Sequence, residues 1–154
     1  MSPVSVAFDP RDPDFRSRVQ ASFARQQIMT TLHAELIELE PGKVSIRMPF
    51  NQAMTQQHGY LHAGIIGTIA DSACGYAAFS LMPAGAAVLS VEYKLNLLAP
   101  AEGQEFIATG QVLKPGRTLT VCDGEVIALS NNQQSRIASM TATMMTVTGR
   151  DIQD

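Results

Sequence analysis

Between His62 and Pro83 only one side chain carries a charge, Asp71, and the stretch around it over 65–82, IIGTIADSACGYAAFSLM, is otherwise apolar or small. That is the composition of a helix enclosed by protein on every side, not of one resting on a surface. An unpartnered carboxylate there is costly, so Asp71 either belongs to a structural hydrogen-bond network or acts on something in a cleft. A second group of chemical interest precedes it. The backbone N–H groups of Ala63 and Gly64, at the start of the expected helix, have no partner within it and carry partial positive charge, which suits them to an oxygen on which negative charge develops. Eight residues separate Ala63 from Asp71, about 12 Å of helix axis. One small reacting group cannot touch both within one chain. His58 and His62 are four apart, but both fall in an expected loop, 51–63, with no third ligand nearby, so no metal is expected. No Gly-x-Ser-x-Gly nucleophile elbow occurs.

The remaining elements must hold these groups in place. Asp12-Pro13 is a cap and first-turn pair, and Phe15, Val19 and Phe23 recur every four residues, which predicts a helix over 13–29. Segments 33–40 and 43–50 flank Pro41-Gly42, a pair suited to a type II turn, and Val44, Ile46, Met48 and Phe50 alternate with polar residues. They form a hairpin. After the long helix, Leu89, Val91, Tyr93, Leu95 and Leu97 alternate with Ser90, Glu92, Lys94 and Asn96, a strand closed by the turn at 99–103. Strands follow at 104–113, 118–129 and 135–148, separated by Lys114-Pro115-Gly116-Arg117, again in type II order, and by the turn at 130–134. Thr120, Cys122, Gly124, Val126 and Ala128 share one strand face, and Ala138, Met140 and Ala142 another, both small enough for a helix to come close.

The architecture expected is α+β: an antiparallel sheet of five to six strands wrapped around one long central helix, with the N-terminal helix over an edge or the outer surface. A chain of 154 residues fits one domain, 13–148, between a flexible N-terminus, 1–12, and a polar tail, 149–154. A net charge of -3 supplies no basic field for nucleic acid or anionic membrane. Polar residues within 65–82 argue against a membrane span, and the N-terminus does not read as a secretory signal. Cys74 and Cys122, far apart and outside any C-x-x-C pattern, read as buried thiols of a cytoplasmic protein. One helix cannot cover both faces of such a sheet, and apolar residues such as Leu113 and Leu119 point to a second subunit.

Gly59, His62-Ala63-Gly64, Asp71 in the helix, Ser90-Val91-Glu92-Tyr93-Lys94 and Val112-Leu113-Lys114-Pro115-Gly116-Arg117-Thr118-Leu119 resemble, in order and spacing, the hotdog-fold acyl-CoA thioesterases, in particular the PaaI-like group. The likeness covers about 28–147 of the chain. It implies a homodimer with sheets joined side by side, often paired again into a tetramer. It also implies an acyl-CoA thioester as substrate, no cofactor beyond the CoA of that substrate, and Asp71 as base or nucleophile.

By the same resemblance the N–H of Ala63, or of Gly64, polarises the thioester carbonyl, and a polar residue six before His62 orients the attacking water. Here that residue is Gln56 where the family has asparagine, with Gln57 as the alternative if the loop shifts by one. Ala63 replaces a family glycine. Ser90 either holds Asp71 or the water, or is a plain sheet serine. His62 reads as a helix-start residue ahead of a direct chemical role. Tyr60 and Leu61, with Tyr76 and Phe79 further along the helix, are candidates for the acyl pocket. Lys114 and Arg117 either meet the CoA phosphates or are solvated loop charges. Helix spacing and the resemblance together imply a site that combines the Ala63 end of one subunit with Asp71 of its neighbour. A hotdog dehydratase or hydratase and a non-catalytic acyl-CoA-binding protein are the rival readings.

Overall fold

The computed structural model describes residues 6–152 and 154. Residues 1–5 of the expected N-terminal arm and residue 153 of the tail lie outside them. Six antiparallel strands form one sheet in the order β1-β2-β4-β5-β6-β3: β1 Glu35–Glu40, β2 Lys43–Pro49, β3 Ala87–Leu97, β4 Glu105–Lys114, β5 Leu119–Ser130 and β6 Gln133–Val147. The sheet curls around the central helix α3, Ala63–Phe79. This is the hotdog architecture, with six strands.

Small residues let the helix settle onto the middle of the sheet. A side chain at Gly110 would run into the backbone of Ala73 and Cys74, and one at Gly124 would approach Cys74 Sγ to 2.9 Å. Cys74 and Cys122 are free, buried thiols, and burial raises the pKa of both. The turns follow the residue chemistry in two cases. Gly42 has φ +78°, as a type II turn requires, and Asn131 and Asn132 both have positive φ, the conformation of a two-residue hairpin turn. The third differs from expectation. Gly116 is not in the left-handed region; it is required because a Cβ there would collide with the Leu119 carbonyl.

The helix predicted over 13–29 is two helices, α1 Phe15–Arg25 and α2 Gln27–Thr31, broken at Gln26, whose ψ of 99° is extended. They do not cover the outer face of the sheet. Phe23 packs on Tyr76 of α3 with ring centroids 5.8 Å apart, and Arg16 donates to the Leu39 carbonyl on the edge strand β1. α3 also ends before the expected Pro83. Leu81 and Met82 donate to carbonyls three residues back, a tightened last turn. Arg18 donates to the carbonyls of Phe79, Met82 and Pro83 where the helix gives way to the following turn.

β3 corrects the alternation read from the sequence. Ser90 pairs with Met144 while Glu92 pairs with Thr143, so Val91 is the extra residue of a bulge. Before the bulge Ser90 faces α3, where it bonds Asp71. After it Tyr93 and Leu95 face α3, close to Gly67. The strand thus offers a hydroxyl at one end and apolar residues at the other to the same side. It is also a long sheet edge with Val91, Tyr93 and Leu97 about half exposed, a surface of the kind that pairs with another strand. On the outer face Leu89, Met145 and Leu119 stand in register across β3, β6 and β5. Among the described residues no helix is long and apolar enough to cross a membrane.

Candidate functional site

α3 is not enclosed on every side. Gly64 is exposed and Thr68, Asp71 and Gly75 are half-buried, while most residues between them are buried. Their spacing of four, three and four places them on one stripe of the helix. Asp71 therefore occupies the one side that the sheet and the N-terminal helices leave open.

His62 is the N-cap of α3, and its Nδ1 accepts the Gly64 N–H at 2.8 Å. The amides of Ile65 and Ile66 donate to the His62 carbonyl. Of the first-turn amides this leaves the Ala63 N–H without a hydrogen bond to any described residue. It opens on a cavity of about 420 Å³ lined by Gln56, Tyr60, Leu61, His62, Ala63 and Ile66, and across from them by Leu97, Leu98 and Ile137. The loop before the helix is folded on itself: the Gln56 carbonyl accepts the Gly59 N–H, its side-chain oxygen accepts the His58 N–H, and its own N–H donates to the Tyr60 carbonyl. Gly59 has φ +87°, which a side chain rarely tolerates. Gln57 is exposed and lies only beside His58, so Gln56 and not Gln57 lines the cavity.

Asp71 belongs to a second cavity, about 120 Å³, which it shares with Ser22, Gln26, Ser72, Tyr76 and Ser90. Ser90 Oγ donates to Asp71 Oδ1 at 2.7 Å. Burial raises the Asp71 pKa, and the Ser90 hydrogen bond, which favours the charged form, opposes that rise. No residue is common to the two cavities. The separation expected from helix spacing is therefore present: within one chain the free amide and the carboxylate face different spaces.

The other expected residues fall as follows. Tyr60 and Leu61 line the larger cavity and Tyr76 the smaller, whereas Phe79 is fully buried beneath Arg18 and lines neither. Lys114 and Arg117 are exposed on their turn and border neither cavity. Sequence reasoning missed Ser22 and Gln26. Their signal lies in the helical stripe Phe15, Val19, Ser22, Gln26, Met29, where two polar residues interrupt an apolar face. Among the described residues no three His, Cys, Asp or Glu side chains gather into a metal-binding group.

Residues 58–134, half of the chain, match the family model described as the thioesterase superfamily. A crystal structure of a thioesterase family protein from Silicibacter pomeroyi is 53% identical, with a TM-score of 0.87 over 88% of this chain and 99% of that one. Human acyl-coenzyme A thioesterase 13 is 33% identical over 85 residues, 54% of this chain and 60% of that protein. The E. coli PaaI protein from the phenylacetic acid degradation operon shares the fold, with a TM-score of 0.79 over 88% of this chain and 95% of that one at 23% identity. On the family match and the overlay of nearly the whole fold, the chain belongs to the hotdog-fold thioesterase superfamily.

Proposed function

We propose that this protein hydrolyses acyl-CoA thioesters to a free acid and CoA, with each active site completed by a second subunit. The observation that carries the reading is the pair of half-sites on α3: an Ala63 N–H without a partner among the described residues at its start, and a Ser90-bonded carboxylate two turns on, along the helix's open stripe. Neither half alone can hydrolyse a thioester. A two-fold axis that apposes the open stripes of two α3 helices brings Ala63 of one chain to Asp71 of the other, twice per dimer. The unpaired β3 edge, with its exposed Val91, Tyr93 and Leu97, supports strand-to-strand continuation as the way the two sheets meet.

In such a site the Ala63 N–H, backed by the positive end of the helix, donates to the thioester oxygen as negative charge develops on it. Asp71 takes the proton from the attacking water, or attacks the carbonyl itself, and the intermediate collapses to expel the CoA thiolate; in the second case water then hydrolyses the mixed anhydride to free the acid and restore the carboxylate. A carboxyl whose proton affinity is raised by burial is the better base. Ser90 fixes the carboxylate and leaves its second oxygen for the water. Gln56 holds its loop through its side-chain oxygen, so its amide nitrogen remains for a ligand in the Ala63 cavity. His62 acts through the helix start, because its Nδ1 is committed to the Gly64 amide. With Nδ1 accepting, a neutral His62 carries its proton on Nε2 and offers no lone pair as a base, which disfavours a dehydratase reading built on His62. Lys114 and Arg117 reach CoA phosphates only if the ligand's nucleotide end extends to their turn in the assembly.

The test is release of CoA thiol from a panel of acyl-CoAs by the wild type and Asp71→Asn. Turnover by the wild type, with loss of turnover but not of binding in the variant, is expected. An active Asn variant sinks the role of Asp71, and tight binding without turnover across the panel replaces the enzyme with an acyl-CoA-binding protein.

A further inference from the structure

The cavity beside Asp71 has more hydrogen-bond donors than the protein uses. Ser22 Oγ and Tyr76 Oη are 3.2 Å apart and buried. Two hydroxyls that share one hydrogen bond leave one O–H over. Burial raises the Tyr76 pKa, which keeps the phenol protonated and able to donate. Gln26 Oε1 accepts from Ser72 Oγ at 3.4 Å, and its amide nitrogen makes no hydrogen bond among the described residues, leaving two more N–H donors. The chain is broken between α1 and α2 at this glutamine, whose extended backbone interrupts an otherwise continuous helical stripe. These donors border the cavity and bond nothing else in the described residues, so an acceptor on a ligand that enters it can take them up.

Resting on the thioesterase reading, we propose that Gln26 and the Ser22–Tyr76 pair form an acyl-end subsite that selects acyl groups bearing a neutral acceptor oxygen, such as a hydroxyl. Three features give its chemistry. The lining is polar and supplies donors. Asp71 and Asp154 both border the cavity, so an anionic substituent is repelled. At about 120 Å³ within one chain, just below the roughly 150 Å³ cavity that accommodates a benzene molecule, it receives the end of the acyl group and not the whole of it. Tyr76 lies five residues beyond Asp71, about 7.5 Å along the helix, which puts the oxygen near the far end of the acyl chain and away from the thioester. Ser22 and Gln26 both lie outside the segment matched by the family model, so they can set a preference particular to this chain.

The experiment uses the full-length protein and a series of straight-chain acyl-CoAs from butanoyl to octanoyl, each with and without a terminal hydroxyl, read by thiol release. For at least one length the wild type is expected to favour the hydroxylated member in kcat/KM by about tenfold, the worth of one good hydrogen bond. Gln26→Leu, and separately Ser22→Ala combined with Tyr76→Phe, are expected to bring that ratio towards one. The ratio is the diagnostic quantity, because general damage to the fold lowers both members of a pair alike. Hydroxylated and plain substrates equal at every length, or a preference that survives in both variants, overturns the subsite while the thioesterase reading stands. Absence of thiol release from every substrate overturns the thioesterase reading and the subsite with it.

Discussion

If the two half-sites meet only across a dimer, two dead variants should revive each other. The first lesion is Ala63→Pro. Ala63 is the first residue of α3, a position proline favours, and His62 before it is extended at φ -60° and ψ 139°, the conformation that precedes proline without strain. The substitution deletes an N–H that bonds nothing among the described residues, so it removes the proposed oxyanion donor at little cost to the fold. The second lesion is Asp71→Asn, which can still accept the Ser90 hydroxyl proton. Each homodimer carries two broken sites. A mixed dimer carries one site with both lesions and one with neither. Equal amounts reassembled at random give half mixed dimers, each with one of two sites intact, so thiol release should recover to about a quarter of wild type. The variants are refolded together from denaturant, or co-expressed, and compared with the sum of the two alone. Were a site contained in one chain, every chain in the mixture would still carry a lesion. A mixture no more active than its components, from subunits shown to have exchanged, refutes the shared site.

Three further outcomes follow from the geometry. Asp71 binds its proton more tightly in the folded protein than in the unfolded chain; as pH rises past the ordinary carboxylate range, about 4, the unfolded chain releases its proton first and stability falls until the folded group has ionised too. Asp71→Asn should therefore raise Tm near neutral pH by a few degrees and lose that advantage as pH falls to about 4 in thermal melts, while the acid limb of wild-type kcat/KM lies above the ordinary carboxylate range. Gly110→Ala forces a methyl into the α3 backbone whereas Gly124→Ala presses on side-chain atoms, the Cys74 sulfur and the Met140 Cβ, so in urea titrations the first should cost about 3 kcal/mol and the second closer to 1; equal losses would contradict the close approach of α3 to β4. Arg18→Ala should cost about 3 kcal/mol, because it takes the cation from the buried Asp12 carboxylate, 3.0 Å from Arg18 Nε, and leaves the Met82 carbonyl without its donor.

What could be read from the sequence divides along a physical line. The hotdog order of elements was legible because hydrophobic periodicity and turn residues report local choices, and the Ala63 to Asp71 separation was legible because helical rise is nearly constant. The β3 bulge was not. Strict alternation put Ser90 on the face opposite Tyr93 and Leu95, and nothing in Ser-Val-Glu marks Val91 as an extra residue; its placement is fixed by the pairing register with β6. Yet without the bulge a strand that turns Tyr93 and Leu95 towards α3 would turn Ser90 away from Asp71. The break at Gln26 has the same character, since no glycine or proline announces it, and again the irregularity brings a polar side chain to the Asp71 cavity. The sequence overstated the enclosure of α3 for a related reason. Composition reports how apolar a helix is on average and not which of its sides the sheet leaves open, and Gly64, Thr68 and Gly75 are small enough to suit either a packed or an open side. The mixed-dimer experiment asks whether a second subunit covers the open stripe through Thr68, Asp71 and Gly75 and carries the other half of the chemistry.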